Sequence, residues 1–283
     1  MHSPAREQLP TCSFFNPTER LFLLVPCIFT AILISSIGFF LVIPCIVTTY
    51  ILAIETTTHT CSIALIKDGQ PWIIRQDDQT NGHTQQITLF IQEVMATAQL
   101  ELSALTAIAI SQGPGSYTGL RIGLSTAKGL CYALGKPLLA VDSLQALAWG
   151  AKAVFKTPKP KVGYVSMMDA RRMDAYVGLY NAELKPLTSP YFATLQANSF
   201  DSLLLEYGLE AWILVGDATA KFMELFGEGL PQHLLWSGVG QPSAKYLGAL
   251  AQQAWQAGQT QSVAYFEPFY LKKPHITRPK PKL

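Results

Sequence analysis

Short apolar runs rich in β-forming residues open the clearly patterned part of the chain. Residues 50–54, 61–66 and 72–74 are such runs, and short polar turns separate them. Strands that follow one another through tight turns form an antiparallel meander. The fold is therefore predicted to begin with three antiparallel strands.

Helical spacing replaces this pattern after the third strand. Between His83 and Leu100, apolar residues recur three and four positions apart, which predicts an amphipathic helix. A predicted strand at 105–110 follows, and then a second helix at 118–134. Gly135 comes directly after that helix, where glycine commonly ends one. The first half thus reads β-β-β-α-β-α.

The second half of the chain repeats the beginning of the first. A predicted strand at 161–168 is followed by an acid, Asp169, and a polar turn leads to a strand that starts at Ala175. In the first half the acid is Glu55 and the second strand starts at Cys61, so the interval is six residues in both halves. Two copies of strand, acid, turn and strand indicate a duplicated domain.

The elements predict an α/β protein of two domains. Residues 48–155 form the first predicted domain. Residues 156–271 form the second, which adds a strand at 212–216 and a helix at 243–255. A chain of 283 residues is long enough to bury two such cores.

An apolar segment precedes these domains, in residues 1–47. From Leu21 to Val47 no residue is charged, and the run exceeds the roughly 20 apolar residues that a membrane-spanning helix needs. A membrane anchor and a signal peptide are two interpretations, although no small-x-small cleavage site follows the run. The third is a mis-assigned start, in which Val47 is a GTG start codon read as valine. We favour the third and predict a cytoplasmic protein, with membrane contact only if the segment is real.

Net charge and cysteine usage argue against several kinds of site. Lys and Arg number 21 against 19 Asp and Glu, a balance too even to predict a nucleic-acid binder from bulk charge. The five cysteines are scattered without a CxxC pair, which predicts neither a disulfide framework nor a zinc site. No metal site and no catalytic residue is predicted.

The most distinctive stretch is GPGSYTGLRIG, which joins a predicted strand to a helix. Gly113, Gly115 and Gly119 permit close backbone approach, and Ser116 or Thr118 can cap the helix. Free N–H groups at a helix start bind anions, so a phosphate contact is one interpretation. The spacing GxGxxxG matches neither the dinucleotide fingerprint nor a P-loop, so a structural tight turn is the other.

GPGSYTGLRIG also carries a family resemblance. Together with HTQQI and ILAIETTTHTCSIAL upstream, and MDARRMDAY and EPFYL downstream, it closely resembles the bacterial TsaB family of threonylcarbamoyladenosine biosynthesis. The resemblance covers about residues 48–272. It implies a duplicated actin-like, sugar-kinase-like fold with two mixed β-sheets flanked by helices, preceded here by the apolar N-terminal segment.

The resemblance also implies a function and partners. Members of the family pair with a catalytic paralogue of the same fold (TsaD-type) and with a small ATPase (TsaE-type). The complex places a threonylcarbamoyl group on adenosine 37 of tRNAs that read codons beginning with A. The resemblance therefore implies a non-catalytic scaffold that meets tRNA through the complex. No cofactor is predicted for the chain itself, and ATP is expected only at the level of the complex.

Pairing in the family runs through the two helices of the first domain. An exposed apolar helix face also predicts a homodimer of the isolated chain, on the patch that the paralogue uses. The predicted interface residues are His83, Thr84, Ile87, Phe90, Ile91, Val94, Ala127, Leu130 and Cys131.

A degenerate nucleotide or phosphate site is the other candidate. The catalytic paralogue holds a metal with two histidines four apart on a helix, but His83 is followed at that spacing by Ile87. The turn after Glu55 lacks the glycine that phosphate-binding relatives use, which argues against the alternative function, an ATP-dependent or peptidase-like enzyme. The candidate residues are Glu55, Thr56, Thr57, Gly113, Gly115, Ser116, Asp169 and Arg171.

A basic tail, residues 272–283, closes the chain. Its prolines favour a solvated segment. The other interpretation is an arm that contacts tRNA phosphates, with an affinity that falls as salt rises. The basic residues are Lys272, Lys273, Arg278, Lys280 and Lys282.

Overall fold

The chain falls into two compact units, Met1–Val47 and Thr48–Leu283. Within the first unit, strands β1 (Thr30–Ile34) and β2 (Phe40–Pro44) pair in antiparallel fashion. The part of the chain that the structure describes contains no helix both long and apolar enough to cross a membrane. The computed structural model describes residues 30–34, 40–44, 47–77, 83–157, 159–227 and 229–272.

The second unit contains two five-stranded mixed sheets. The first has the strand order β5-β4-β3-β6-β7, in which β3, β4 and β5 are antiparallel neighbours and β3, β6 and β7 run parallel. Its strands are β3 (Tyr50–Glu55), β4 (Cys61–Lys67), β5 (Gln70–Asp77), β6 (Ala107–Gly113) and β7 (Leu138–Asp142).

The second sheet repeats this topology. Its order is β10-β9-β8-β11-β12, again with three antiparallel neighbours and three parallel ones. The prediction of a duplicated α/β fold with two mixed sheets is thus confirmed. The strands are β8 (Val162–Asp169), β9 (Asp174–Tyr180), β10 (Tyr191–Thr194), β11 (Ala211–Val215) and β12 (Leu234–Trp236).

Helices cover both faces of the first sheet, which explains its continuous apolar strands. Leu52 and Ile54 pack towards the cluster that includes the first two helices, whereas Ile51 and Ala53 face Leu247 and its neighbours. The α-helices are α1 (His83–Ala98), α2 (Tyr117–Leu134), α3 (Ser143–Val154), α4 (Asp201–Glu206), α5 (Thr219–Met223) and α6 (Gly248–Gln256). Short 3-10 helices occupy Leu102–Ala104, Glu224–Phe226 and Ala244–Leu247.

Two elements of the first half were not predicted from the sequence, β7 and α3. Residues 138–151 form an almost continuous apolar run in which neither a period of two nor one of 3.6 stands out. Asp142 separates the two elements, because its side chain caps α3 by accepting from Gln145 N at 2.8 Å.

Residues 247–266 return to the first sheet. Leu247 and Ala251 pack on the face of the first sheet opposite α1 and α2. Val263 and Phe266 pack against the cluster on the other face. The domain boundaries stay a prediction, but residues assigned by sequence to the second domain contribute to the core around the first sheet.

Candidate functional site

A cleft of about 1060 Å³ opens where turns from the two halves meet. From the first half come the turn after β3 and the glycine-rich loop before α2. From the second half come the turn after β8 and Asp217, at the end of β11. The lining residues are 57–59, 115–118, 169–172, Asp174, Tyr176, Asp217 and 270–272.

The acid that ends β3 is turned into the protein. Glu55 is 1 % exposed and is not among the described residues that line the cleft. Its carboxyl group accepts from Thr57 N at 2.7 Å and from the hydroxyl groups of Thr57 and Ser111. Burial raises the pKa of Glu55, and the hydrogen bonds from Ser111 and Thr57 act in the opposite direction.

The glycines of the loop make room for the turn after β3. A Cβ on Gly119 would lie 2.0 Å from the carbonyl oxygen of Thr56, and one on Gly115 would lie 2.6 Å from that of Thr57. Thr56 Oγ1 donates to Gly119 O at 2.8 Å, and Ser116 N donates to Thr57 O at 2.7 Å. The two segments are therefore packed backbone against backbone.

Gly113, the first glycine of the loop, packs against the last described segment of the chain. Its φ of +111° lies in the region that favours glycine, and a Cβ there would lie 2.5 Å from Phe269 O. Phe269 N donates to Gln112 O at 2.8 Å, so the EPFYL stretch runs alongside the glycine-rich loop. Gly113 N donates to Ser143 Oγ at 3.1 Å. This packing accounts for the glycines structurally, and the phosphate interpretation stays a prediction.

The second-half turn is closed by a lysine. Lys221 Nζ donates to Asp169 Oδ1 at 2.5 Å and to the carbonyl oxygens of Arg172 and Asp174, at 2.8 and 2.5 Å. Asp169 Oδ1 also accepts from Arg171 N at 2.8 Å. The ammonium group thus holds the turn between β8 and β9 in one shape.

A second carboxyl group lies beneath this turn. Asp217 Oδ1 accepts from Asp169 N at 2.8 Å. Burial raises the pKa of Asp217 to about 6, and the negative charge of Asp169 adds to the rise. The Asp169 N–H and the charge of Lys221 oppose it.

Two tyrosines stand at the cleft on the first-half side. The rings of Tyr117 and Tyr270 are 5.0 Å apart between centroids, with an interplanar angle of 40°. Arg121 Nη1 donates to the hydroxyl of Tyr117 at 2.7 Å, and its guanidinium lies 5.4 Å from the centre of that ring. The three side chains form one cluster at the start of α2.

The structure brings some of the predicted phosphate-site residues together and separates others. The described residues that line the cleft include Thr57, Gly115, Ser116, Asp169 and Arg171. They do not include Glu55, Thr56 or Gly113. Sequence reasoning missed several residues of the cleft and its turns, among them Tyr117, Arg172, Asp217, Lys221 and Tyr270. Tyr117, Arg172 and Tyr270 belong to the runs GPGSYTGLRIG, MDARRMDAY and EPFYL and could have been chosen. Asp217 and Lys221 carried no local signal, since they come from a segment far from the other cleft residues in the chain.

The structure places most of the predicted partner-interface residues in the core. Most of the apolar side chains chosen on α1 and α2 lie in the core around the first sheet and are not on the surface. Phe90 and Leu130 are partly buried against the same core. The side chains of His83 and Thr84 fall outside the described part of the chain. The buried residues are Ile87, Ile91, Val94, Ala127 and Cys131, each at most 6 % exposed.

Other residues of the two helices are exposed. Leu89 on α1 is 50 % exposed and Tyr132 on α2 is 87 % exposed. Gly129 lies in the middle of α2, and a Cβ added there would meet nothing within 4 Å.

The described residues hold no cluster suited to metal or thiol chemistry. Within the described ranges, no group of three or more His, Cys, Asp or Glu side chains could hold a metal ion. Burial raises the pKa of the Cys61 thiol to about 12 and that of Cys131 to about 11. Both groups are therefore protonated at neutral pH and behave as small apolar side chains.

Comparison with known proteins decides the family. A protein of Escherichia coli named tRNA threonylcarbamoyladenosine biosynthesis protein TsaB is 31 % identical over 226 residues, which cover 78 % of this chain and 94 % of that protein. The chain belongs to the TsaB family. The TsaB of Haemophilus influenzae is 28 % identical over 228 residues, covering 78 % of this chain and 93 % of that protein.

Solved structures agree with this membership. YeaZ from Pseudomonas aeruginosa superposes with a TM-score of 0.64 at 28 % identity, covering 79 % of this chain and all of that one. The family resemblance and the duplicated fold predicted from the sequence are both confirmed. TsaB-family proteins are named for tRNA threonylcarbamoyladenosine biosynthesis, and this chain is a protein of that pathway.

The TsaB-family chain is also related to the transferase of the pathway. Residues 77–278 match the family model described as "TsaD: tRNA N6-adenosine threonylcarbamoyltransferase". A protein of Staphylococcus haemolyticus with the name tRNA N6-adenosine threonylcarbamoyltransferase is 35 % identical over 112 residues, covering 34 % of this chain and 33 % of that protein. The chain is thus a relative of TsaD-type enzymes.

Proposed function

We propose that this chain is the non-catalytic scaffold subunit of the complex that forms N6-threonylcarbamoyladenosine at position 37 of tRNAs reading codons that begin with A. Its partners are a TsaD-type catalytic paralogue, a small TsaE-type ATPase and, through the complex, tRNA. The observation that carries the proposal is the packing of the turn after β3 into the glycine-rich loop. This packing supports a structural role for the glycine-rich loop, in which the loop takes part in no reaction.

Catalysis and phosphate binding both need accessible polar groups. A catalytic carboxyl group must reach substrate, but Glu55 is buried and its oxygens accept from Thr57 and Ser111. A phosphate-binding loop needs free N–H groups. Here Ser116 N donates to Thr57 O and Gly119 N donates to Ser116 Oγ.

The exposed surface of α2 supports a docking role. Glycine inside a helix costs roughly 1 kcal/mol relative to alanine, so an exposed one needs a reason. No contact in the described part of the chain supplies that reason at Gly129. Close approach of a partner helix would, and Leu89 and Tyr132 offer exposed apolar area on the same pair of helices. We propose that this surface binds the paralogue, and that it forms a homodimer when the chain is alone.

The test is assembly with the cognate TsaD-type paralogue. The chain and the paralogue are co-purified and sized, and threonylcarbamoylation of a tRNA transcript is assayed with each subunit omitted in turn. Modification is expected to require both chains. The Gly129→Arg variant is expected to fold normally, because no atom fills the space, and to lose the complex.

Gly229→Arg is the matched control, because a Cβ there also meets nothing within 4 Å and the residue lies outside α1 and α2. It should assemble like the wild type. ATP hydrolysis or threonylcarbamoyl transfer by the isolated chain would contradict the scaffold role. Normal assembly of Gly129→Arg would show that the partner docks elsewhere.

A further inference from the structure

A partly exposed aromatic pair, Tyr117 and Tyr270, lines the cleft. Tyr117 is 38 % exposed and Tyr270 is 36 % exposed, although each contacts the other's ring. Arg121 holds the hydroxyl of Tyr117 and lies near its ring. Both tyrosines line the cleft. Partly exposed aromatic rings held in place are the kind of surface on which a nucleobase stacks.

Two arginines line the second-half side of the same cleft. The backbone at Arg171 and Arg172 adopts φ values of +73° and +51°, and the bonds made by Lys221 and Asp169 hold this turn. Among the residues that the structure describes, neither guanidinium has an ion-pair partner. Both are exposed and available to phosphate.

The acidic side chains of the cleft are largely compensated. Asp169 lies 2.5 Å from Lys221, and Asp174 lies 3.8 Å from Lys272. Asp217 is held by the backbone of Asp169, beneath the turn. The two free guanidinium groups therefore leave the surface of this turn with positive charge towards the cleft.

We propose that the cleft binds a single-stranded nucleotide segment of RNA, with a base stacked on the Tyr117–Tyr270 pair and adjoining phosphates on Arg171 and Arg172. Hydroxyl groups of Thr58 and Thr118 in the lining are available to ribose and phosphate oxygens. This deepens the proposed function, because it gives the scaffold direct contact with the RNA substrate.

RNA fits these groups better than a free nucleotide does. A free nucleoside triphosphate is held by several loop N–H groups around its phosphates, and three N–H groups of this loop, those of Gly113, Ser116 and Gly119, already donate within the protein. Exposed guanidinium groups and aromatic rings are the usual contacts to a strand whose phosphates are spaced along a backbone. The cleft is also at the upper end of the size range of small-molecule pockets.

The test measures RNA affinity of the full chain alone, so that its outcome does not depend on the paralogue. A fluorescein-labelled, unmodified tRNA transcript is titrated by anisotropy from about 50 to 200 mM NaCl, the range over which phosphate contacts change affinity strongly. Tyr270→Ala is expected to weaken binding about tenfold, and Tyr270→Phe to restore it to within about twofold. Arg171→Ala with Arg172→Ala should lower the salt slope by about 1 to 2.

Tyr265→Ala is the matched control. Tyr265 is 87 % exposed and is not among the described residues that line the cleft. Its affinity should equal that of the wild type. Three results would each overturn the proposal. They are unchanged affinity in Tyr270→Ala, no binding of the transcript by the full chain, and complete competition by ATP at concentrations near the RNA Kd. Co-purification of the same variants with the paralogue is expected to be normal, because Tyr270 and both arginines lie outside α1 and α2. Loss of assembly in those variants would instead count against the proposed docking surface.

Discussion

Two carboxyl groups end corresponding strands of the two halves and meet different surroundings. Glu55 at the end of β3 is buried with Thr57 and Ser111, whereas Asp169 at the end of β8 is half-exposed and bonded to Lys221. Duplication supplies the same backbone position twice, but the neighbouring turns determine what each acid does. In the first half the acid anchors a turn inside the fold, and in the second half it helps shape the cleft.

Asp217 yields a prediction about pH. Its folded pKa of about 6 exceeds the ordinary value of 3.8, so the folded state binds the proton more tightly than the unfolded one. The contribution of Asp217 to stability therefore falls as pH rises from about 4 to about 6 and stays low above that. Asp217→Asn should be more stable than wild type by about 3 kcal/mol at pH 7.5, with almost no difference near pH 4. Urea unfolding of both proteins across this range checks it, and parallel pH curves would refute it.

Helix α2 contains glycines with two different physical purposes. Two glycines leave room for the carbonyl groups of the turn after β3 to approach closely. They are Gly115, just before the helix, and Gly119, in its first turn. Gly129 in the fourth turn faces open space. One end of the helix is thus built for packing within the fold, and the surface near the other end is free for a partner.

Alanine substitutions within α2 should therefore have opposite effects on stability. Gly119→Ala places a Cβ against Thr56 O and is expected to lower the free energy of unfolding by about 2 to 3 kcal/mol. Gly129→Ala is expected to raise it by about 1 kcal/mol, because alanine favours the helix and meets no atom. Chemical denaturation of the two variants measures both, and a shared sign would contradict the assignment of their roles.

Segments late in the second unit, within residues 247–266, pack against its first sheet. Leu247 and Ala251 cover one face, and Val263 and Phe266 pack at the other. Phe269 then pairs with Gln112 beside the glycine-rich loop, which brings Tyr270 to the cleft. The end of the described chain is accordingly part of the first-half core as well as part of the site.

This arrangement predicts a contrast between neighbouring residues. Phe266→Ala removes a ring packed against the first-half core and should lower the free energy of unfolding by about 2 kcal/mol. Tyr265→Ala should change it by less than about 0.5 kcal/mol, because the ring is exposed. Thermal and urea unfolding of the two variants decide the matter. Equal stability of both would mean that the returning segment adds little to the core.

The sequence by itself determined the local elements and the family. Short apolar runs bounded by polar turns predicted β3 to β6, and helical spacing of apolar residues predicted α1 and α2. The equal intervals after Glu55 and Asp169 predicted the duplication, which the matching strand orders confirm.

Only the tertiary structure decided which faces are buried and which residues share the cleft. A helical period shows that Ile87, Ile91 and Val94 share a face, but it is the same whether that face meets the core or a partner. Lys221 meets Asp169, and Tyr270 meets Tyr117, from segments that are distant in the chain. Such meetings depend on long-range packing of the two sheets, which leaves no periodic signal in the local sequence.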